Sequence, residues 1–236
     1  MQRLIWRLEP ESLFVGPVLQ SGYGRALTDE LFNNGQSGGL LSAVVASLLA
    51  QQAIDGAVVV GLSAGDPLLP EPFVATKASE LPQSQGSKYV PVPTAAMIKQ
   101  VAKSQGRVAF VGLPCQILAL RKAESILPRL KNKIYLHLGL FCAGMWTFGL
   151  LDHLLKVAGV KSGQVKRFRY RGHAWRGWPG DTEIELTDGK LEFVDRLHRQ
   201  IVRELYLPLR CFYCHDKLNT LADISFGDPW GLDFEG

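Results

Sequence analysis

The chain has 236 residues, 47% of them hydrophobic and 20% charged, a balance that excludes disorder and fits a globular protein able to bury a core without disulfide staples. With 26 Lys and Arg against 22 Asp and Glu, the net charge of +4 is too small to argue for nucleic acid by itself. The stretch Met1 to Pro10 lacks the apolar run of a signal peptide, so a cytoplasmic protein with reduced thiols is expected.

In chain order, Asn33-Asn-Gly-Gln-Ser-Gly-Gly39 runs into Leu40, Leu41, Val44, Val45, Leu48 and Leu49, which are spaced for one face of a helix. Such a loop suits an anion, because glycines let backbone approach a phosphate and the helix start offers free N–H groups; equally, it is a turn with Ser37 as N-cap. Gly56 to Gly61 is a buried, β-branched strand bounded by glycine. Gly86-Ser-Lys-Tyr89 sets a lysine between small residues and an aromatic, suited to a phosphate or a flavin ring or else to a solvated loop. A helix is predicted over Thr94 to Lys103.

Arg107 to Gly112 reads as a second buried strand, and Leu113-Pro-Cys-Gln116 turns it into a helix around Ile117, Leu118 and Leu120. Ile134 to Phe141 is a third strand, ending at Cys142 and followed by a helix from Thr147 to Val157. Cys115 and Cys142 therefore fall just past the carboxyl ends of strands, where open α/β sheets bind ligands. Ile134 to Leu151 are 18 residues without formal charge, near the lower limit for a membrane helix. His137, Cys142 and three glycines (Gly139, Gly144 and Gly149) make a strand, a turn and a helix start the better reading, and no membrane span is expected.

Beyond Gly159 the pattern changes. In Lys166-Arg-Phe-Arg-Tyr-Arg171, a strand would turn Arg167, Arg169 and Arg171 one way and Phe168 and Tyr170 the other. That face is either a wet edge or a surface for a polyanionic cofactor, an acidic electron-transfer protein or single-stranded nucleic acid. Thr182 to Thr187 and Lys190 to Val194 flank Asp188-Gly189 as a hairpin, and a helix is predicted over Asp195 to Leu205. The expected fold class is α/β, a layered domain with a mostly parallel central sheet over 1–160, then a smaller antiparallel hairpin subdomain in an α+β region over 161–236.

Cys211-Phe-Tyr-Cys214 places two thiols on one turn; with Cys115 and Cys142 they number four, enough for a tetrahedral zinc or a four-iron four-sulfur cluster, unless they are unrelated buried cysteines. The five histidines support no hydrolase, since neither Gly-x-Ser-x-Gly nor His-Glu-x-x-His occurs. Asp223 and Asp228 read as turn chemistry. A zinc-stabilised nucleic-acid-binding module is the competing class, though it leaves the glycine-rich loop and the buried strands without a purpose.

Several segments together resemble the beta-subunit family of coenzyme F420-reducing hydrogenases and dehydrogenases: Asn34-Gly-Gln-Ser-Gly-Gly39, Gly86-Ser-Lys-Tyr89, Gly112-Leu-Pro-Cys-Gln116 with Arg121-Lys122, and Phe141-Cys142. Tyr170-Arg-Gly172 with Gly177-Trp-Pro-Gly180 and Arg210-Cys-Phe-Tyr-Cys214 through Ala222-Asp-Ile-Ser-Phe-Gly-Asp-Pro-Trp230 continue the series in the family's order. The resemblance implies a flavin iron-sulfur oxidoreductase with FAD bound by Asn34, Gly35, Gln36, Ser37, Gly38 and Gly39 together with Gly86, Ser87, Lys88 and Tyr89. It further implies one 4Fe-4S cluster on Cys115, Cys142, Cys211 and Cys214. The implied activity is hydride exchange with coenzyme F420 and passage of single electrons to a redox partner or hydrogenase subunit, with no role for nucleic acid. A ferredoxin-dependent reductase of a pigment-like substrate is the runner-up, since those relatives carry cysteines before the position of Cys115 and this chain has none there.

Overall fold

The chain folds around β-branched and leucine-rich runs that are too apolar to face water on either side. The computed structural model describes residues 15–172 and 179–228. Helix α1 (Asp29–Asn34) and helix α2 (Leu40–Ala50) precede strand β1 (Gly56–Leu62) and strand β2 (Pro70–Ala75). A 3-10 turn at Ala78–Ser84 and another at Thr94–Ala96 lead into α3 (Met97–Lys103), so the helix predicted from Thr94 begins as a 3-10 turn. Then come β3 (Val108–Gly112), α4 (Pro114–Ile126), α5 (Pro128–Lys131), β4 (Ile134–Leu140) and α6 (Phe148–Val157).

These strands form a five-stranded sheet ordered β2-β1-β3-β4-β8, in which β8 (Ile224–Phe226) returns from the far end of the chain. The pairs β1–β3, β3–β4 and β4–β8 are parallel, and only β2 runs antiparallel, against β1. Alternation along the strands feeds two cores. Ala57, Val59 and Ala109 pack with Val45 of α2 and Leu81, while Val58, Val108 and Phe110 pack with Met97, Val101, Ile117 and Leu120. The uncharged run from Ile134 is thus a strand, a turn and the start of α6, and among the described residues no helix is long and apolar enough to cross a membrane.

The second sheet is antiparallel, ordered β5-β6-β7 from β5 (Val165–Arg169), β6 (Thr182–Leu186) and β7 (Leu191–Val194). The predicted hairpin is present, its turn closed by Gly189 N–H on the Leu186 carbonyl and Lys190 N–H on the Asp188 carboxylate. Leu150, Leu151, Leu154 and Leu155 of α6 pack against Phe168, Ile184, Leu186 and Val194 of this sheet. Helix α7 (Arg196–Val202), capped by Asp195, continues as a 3-10 turn at Arg203–Tyr206, and the short α8 (Leu209–Phe212) follows.

Gly39 shows how tightly the loop before α2 is set. It stands at φ +68°, and a Cβ there would run into the Leu31 carbonyl oxygen of α1. Gly39→Ala should therefore destabilise the protein by about 2–3 kcal/mol, from left-handed backbone strain plus the clash; equilibrium denaturation of the variant measures it.

Candidate functional site

Three loops distant in sequence meet at the end of the first sheet. The side chain of Gln36, buried, accepts from the Ser87 N–H at 2.7 Å and donates to the Arg171 carbonyl. Arg171 in turn donates to the Gln36 carbonyl at 3.1 Å, to Ser37 Oγ at 2.6 Å and to Asp228 at 2.7 Å. Asn34 donates to the Pro82 carbonyl at 2.8 Å and to Gln85 at 3.1 Å, and Gln85 donates to the Leu31 carbonyl at 2.7 Å. The glycine-rich loop, the Gly-Ser-Lys-Tyr segment and the end of β5 are therefore one polar assembly.

A cavity of about 210 Å³ opens beside it, and Asn34, Gln36, Gly86, Ser87 and Lys88 line it. Gly35, Ser37, Gly38, Gly39 and Tyr89 do not; Ser37 bonds Arg171, and Gly39 holds the position before α2. The sequence-based N-cap reading of Ser37 is corrected accordingly. Gly86 stands at φ +86° with open space where a Cβ would sit, so its glycine serves the backbone turn. The opposite wall comes from Leu151 of α6 and from Arg167, Phe168, Arg169 and Tyr170. Leu68, from the β1–β2 connection, and Pro70, the first residue of β2, also line it, and no motif in the sequence announces them.

Lys88 donates to the Ser84 and Gln85 carbonyls at 2.6 and 2.9 Å. Burial pulls its ammonium down to about 7. The cavity thus offers a titrating cation, amide donors and an aromatic wall. Its volume is below the roughly 300–1,000 Å³ of drug-sized pockets, room for a ring or a phosphate-bearing portion of a larger ligand.

The arginine face differs from the alternation expected of it. β5 ends at Arg169, and past its end Arg171 is buried, while Arg167 is exposed and pairs with Glu185 at 2.9 Å. His173 to Trp178, the rest of the basic aromatic stretch, lie outside the described residues, as do Pro229 and Trp230.

The four cysteines are all free thiols. Cys115 sits in the first turn of α4, Cys142 two residues beyond β4, Cys211 in α8 and Cys214 just after it. Backbone contacts draw the two halves together: Cys142 N–H donates to the Lys217 carbonyl at 2.9 Å, and Lys217 Nζ reaches the Ala143 and Cys211 carbonyls at 3.3 Å. Asn219, fully buried, donates to the carbonyls of Gly112 at 2.8 Å and Leu140 at 3.3 Å, tying the late loop to the ends of β3 and β4.

The sulfurs feel one another. Burial pushes the Cys115 thiol up, and Cys211 and Cys214 add to it; burial takes Cys142 to about 11, with Cys115 and Cys211 contributing. Such a set holds four thiolates only around a cationic centre. Among the described residues no three His, Cys, Asp or Glu side chains are disposed around a single ion. Four thiolates are a donor set that suits either a tetrahedral zinc or a four-iron four-sulfur cluster.

Sequence reasoning missed a charged network that joins β4, α4 and the residue before β8. His137 of β4, buried, is held between Asp223, 2.8 Å from Nδ1, and Glu124 of α4, 2.8 Å from Nε2. Asp223 also accepts from the His137 N–H at 2.7 Å and from Arg121 at 2.8 Å. Burial disfavours the imidazolium, but the bonds from Asp223 and Glu124 outweigh it and raise the His137 pKa. The one signal available was a histidine inside an otherwise apolar strand.

Family models described as the coenzyme F420 hydrogenase/dehydrogenase beta subunit match this chain, the N-terminal one over residues 22–99 and the C-terminal one over 105–236. The coenzyme F420 hydrogenase subunit beta of Methanosarcina barkeri is 25% identical over 241 residues, covering 95% of this chain and 77% of the relative. That of Methanothermobacter thermautotrophicus is 32% identical over 219 residues, covering 89% and 72%. A chain of the F420-reducing [NiFe] hydrogenase complex from Methanosarcina barkeri superposes with a TM-score of 0.69 at 25% identity, over 87% of this chain and 68% of that one. The chain belongs to the coenzyme F420 hydrogenase/dehydrogenase beta-subunit family, a family of oxidoreductases.

Proposed function

We propose that this protein is a cytoplasmic flavin and iron-sulfur oxidoreductase that exchanges a hydride with coenzyme F420 and passes single electrons to a partner protein. The observation that carries the reading is the convergence of two sites on one sheet end: a cavity with a titrating lysine and an aromatic wall, and a quartet of thiols past β3 and β4. When bound, FAD and a 4Fe-4S cluster would supply the conversion between hydride transfer and one-electron steps.

Asn34, Gln36, Gly86, Ser87 and Lys88 would hold the flavin, with Lys88 as the charge that positions it. Cys115, Cys142, Cys211 and Cys214 would hold the cluster, presented by α4, the end of β4 and the α8 loop. Phe168 and Leu151 exclude water from the inner wall, and Arg167 and Arg169 at its mouth attract an acidic co-substrate. Leu205, Leu209, Phe212 and Tyr213 stand exposed on and beside the Cys211–Cys214 turn, an apolar rim suited to a hydrogenase or other redox subunit.

Oxygen-free reconstitution with FAD, iron and sulfide tests the reading by visible spectrum and metal analysis. Flavin bands over a broad cluster absorption, bleached by reduced F420 and without the cluster component in Cys142→Ala, are expected. A colourless protein holding one zinc would overturn it. Lys88 adds a pH signature: its ammonium is charged below about 7 and neutral above, so FAD affinity should fall with rising pH. The loss, from about pH 6 to pH 8.5, is roughly tenfold for one charged hydrogen bond, and Lys88→Met should flatten the profile in a fluorescence titration.

A further inference from the structure

Among the buried polar atoms that lack a partner within the described residues are two donors on one cavity, Nε1 of Trp146 and Nε of Arg171. Their side chains are 5% and 8% exposed. Both line a second cavity, of about 90 Å³, together with Tyr89, Arg199 and Arg203. That space is several times what one water needs.

The charge around it is one-sided. Among the described residues no carboxylate lines the cavity. Arg199, buried, gives its hydrogen bonds to neutral acceptors, the carbonyls of Tyr170 and Gly180 and the Thr182 hydroxyl. Arg171 pairs with Asp228 through Nη1, which leaves Nε free, and Asp181 is the acid felt by Arg199. Arg203 lies over the Trp146 ring at 5.4 Å and pairs with its neighbour Glu204 at 3.0 Å. Buried guanidinium groups and an orphaned indole N–H around a small space make a ready receptor for a planar or tetrahedral oxyanion.

We propose that this cavity is an oxyanion site in which Trp146 Nε1, Arg171 Nε and the Arg203 guanidinium bind a phosphate or carboxylate group. It extends the function proposed above, because the two cavities adjoin: Tyr89 of the second follows Lys88 of the first, and its ring lies 5.2 Å from that of Tyr170 in the first. A ligand with its ring in the first cavity can place an anionic group in the second. Both FAD and the acidic F420 carry such groups.

Calorimetric titration of the full chain with inorganic phosphate at low ionic strength is the direct test, followed by titrations with FAD and with F420. One phosphate per chain is expected, weakened about fivefold or more by Trp146→Phe, which keeps the ring and removes the donor, and tenfold or more by Arg203→Gln. Thermal melting without phosphate verifies that both variants fold. Absence of saturable phosphate binding, or binding that neither substitution changes, would leave a cavity holding only water and overturn the site. Matching losses for FAD assign the bound group to the cofactor, and matching losses for F420 assign it to the co-substrate. Phosphate binding that responds to both substitutions in a chain that takes up neither FAD nor F420 keeps the oxyanion site and overturns the functional reading instead.

Discussion

Asp223→Ala should cost about 1–3 kcal/mol of stability, the cost of leaving its donors unpaired, since Asp223 is partly exposed and water screens its ion pairs. The carboxylate accepts from the His137 backbone and ring and from Arg121, so its loss strands three donors. The pH dependence has a definite sign. Burial opposes the charged Asp223, but the bonds from His137 and the Arg121 charge prevail and lower its pKa. Its contribution is therefore present above about pH 3.9 and lost as pH falls through the lower folded value. His137, raised in the fold, contributes fully below about pH 6.5 and loses that contribution as pH rises through its folded pKa. The cost of the substitution should accordingly be largest between about pH 4 and 6.5 and shrink on either side, which urea denaturation of both proteins across pH measures. A cost that does not vary with pH would mean that the network is not charged.

Gln36→Ala is the second large effect. The amide satisfies the Ser87 N–H and the Arg171 carbonyl at once, and truncation leaves both buried groups unpaired, a loss of about 2–5 kcal/mol. The damage should extend to ligand binding, because Ser87 and Lys88 are held in the cavity wall through this residue. Gln36→Glu keeps the shape and the acceptor but puts an anion beside the Arg171 carbonyl, so it should recover the Ser87 contact and little else. Chemical denaturation and FAD titration of the pair separate the two contributions.

The parts of this fold that were legible in the sequence are those whose burial pattern repeats. The 40–49 helix face, the β-branched β1, the runs of β3 and β4 and the Asp188-Gly189 hairpin all carry a period or a turn signal strong enough to stand alone. β2 was not legible, because Pro70 and Pro72 speak against a strand; it is tolerated as the antiparallel edge, where missing N–H donors face no neighbour. β8, three residues long, is too short for any period to register. Arg171 went astray because strict alternation was carried past the end of β5, where the backbone turns and the guanidinium becomes a buried hub. In the candidate site, the residue types were readable and their joins were not. Gln36 looked like one more polar residue in a glycine-rich loop, while its role comes from contacts with chain 51 and 135 positions away. His137 and Glu124 likewise acquire meaning only once β4 and α4 lie side by side.

The brevity of β8 also bears on the order in which the molecule comes together. Four strands of the first sheet are complete by Leu140, so they can assemble during synthesis before the rest of the chain has emerged. Cys115 and Cys142 then wait at their ends, while Cys211 and Cys214 arrive on a loop fastened by a three-residue parallel edge and by Asn219. Such an edge holds few hydrogen bonds, so this corner should open locally far below the free energy of global unfolding, with amides of 211–226 exchanging faster than those of β1 and β3. The thiol quartet would then work as a latch: the core stands before it closes, and reopening it exposes half the sulfurs without unfolding the sheet.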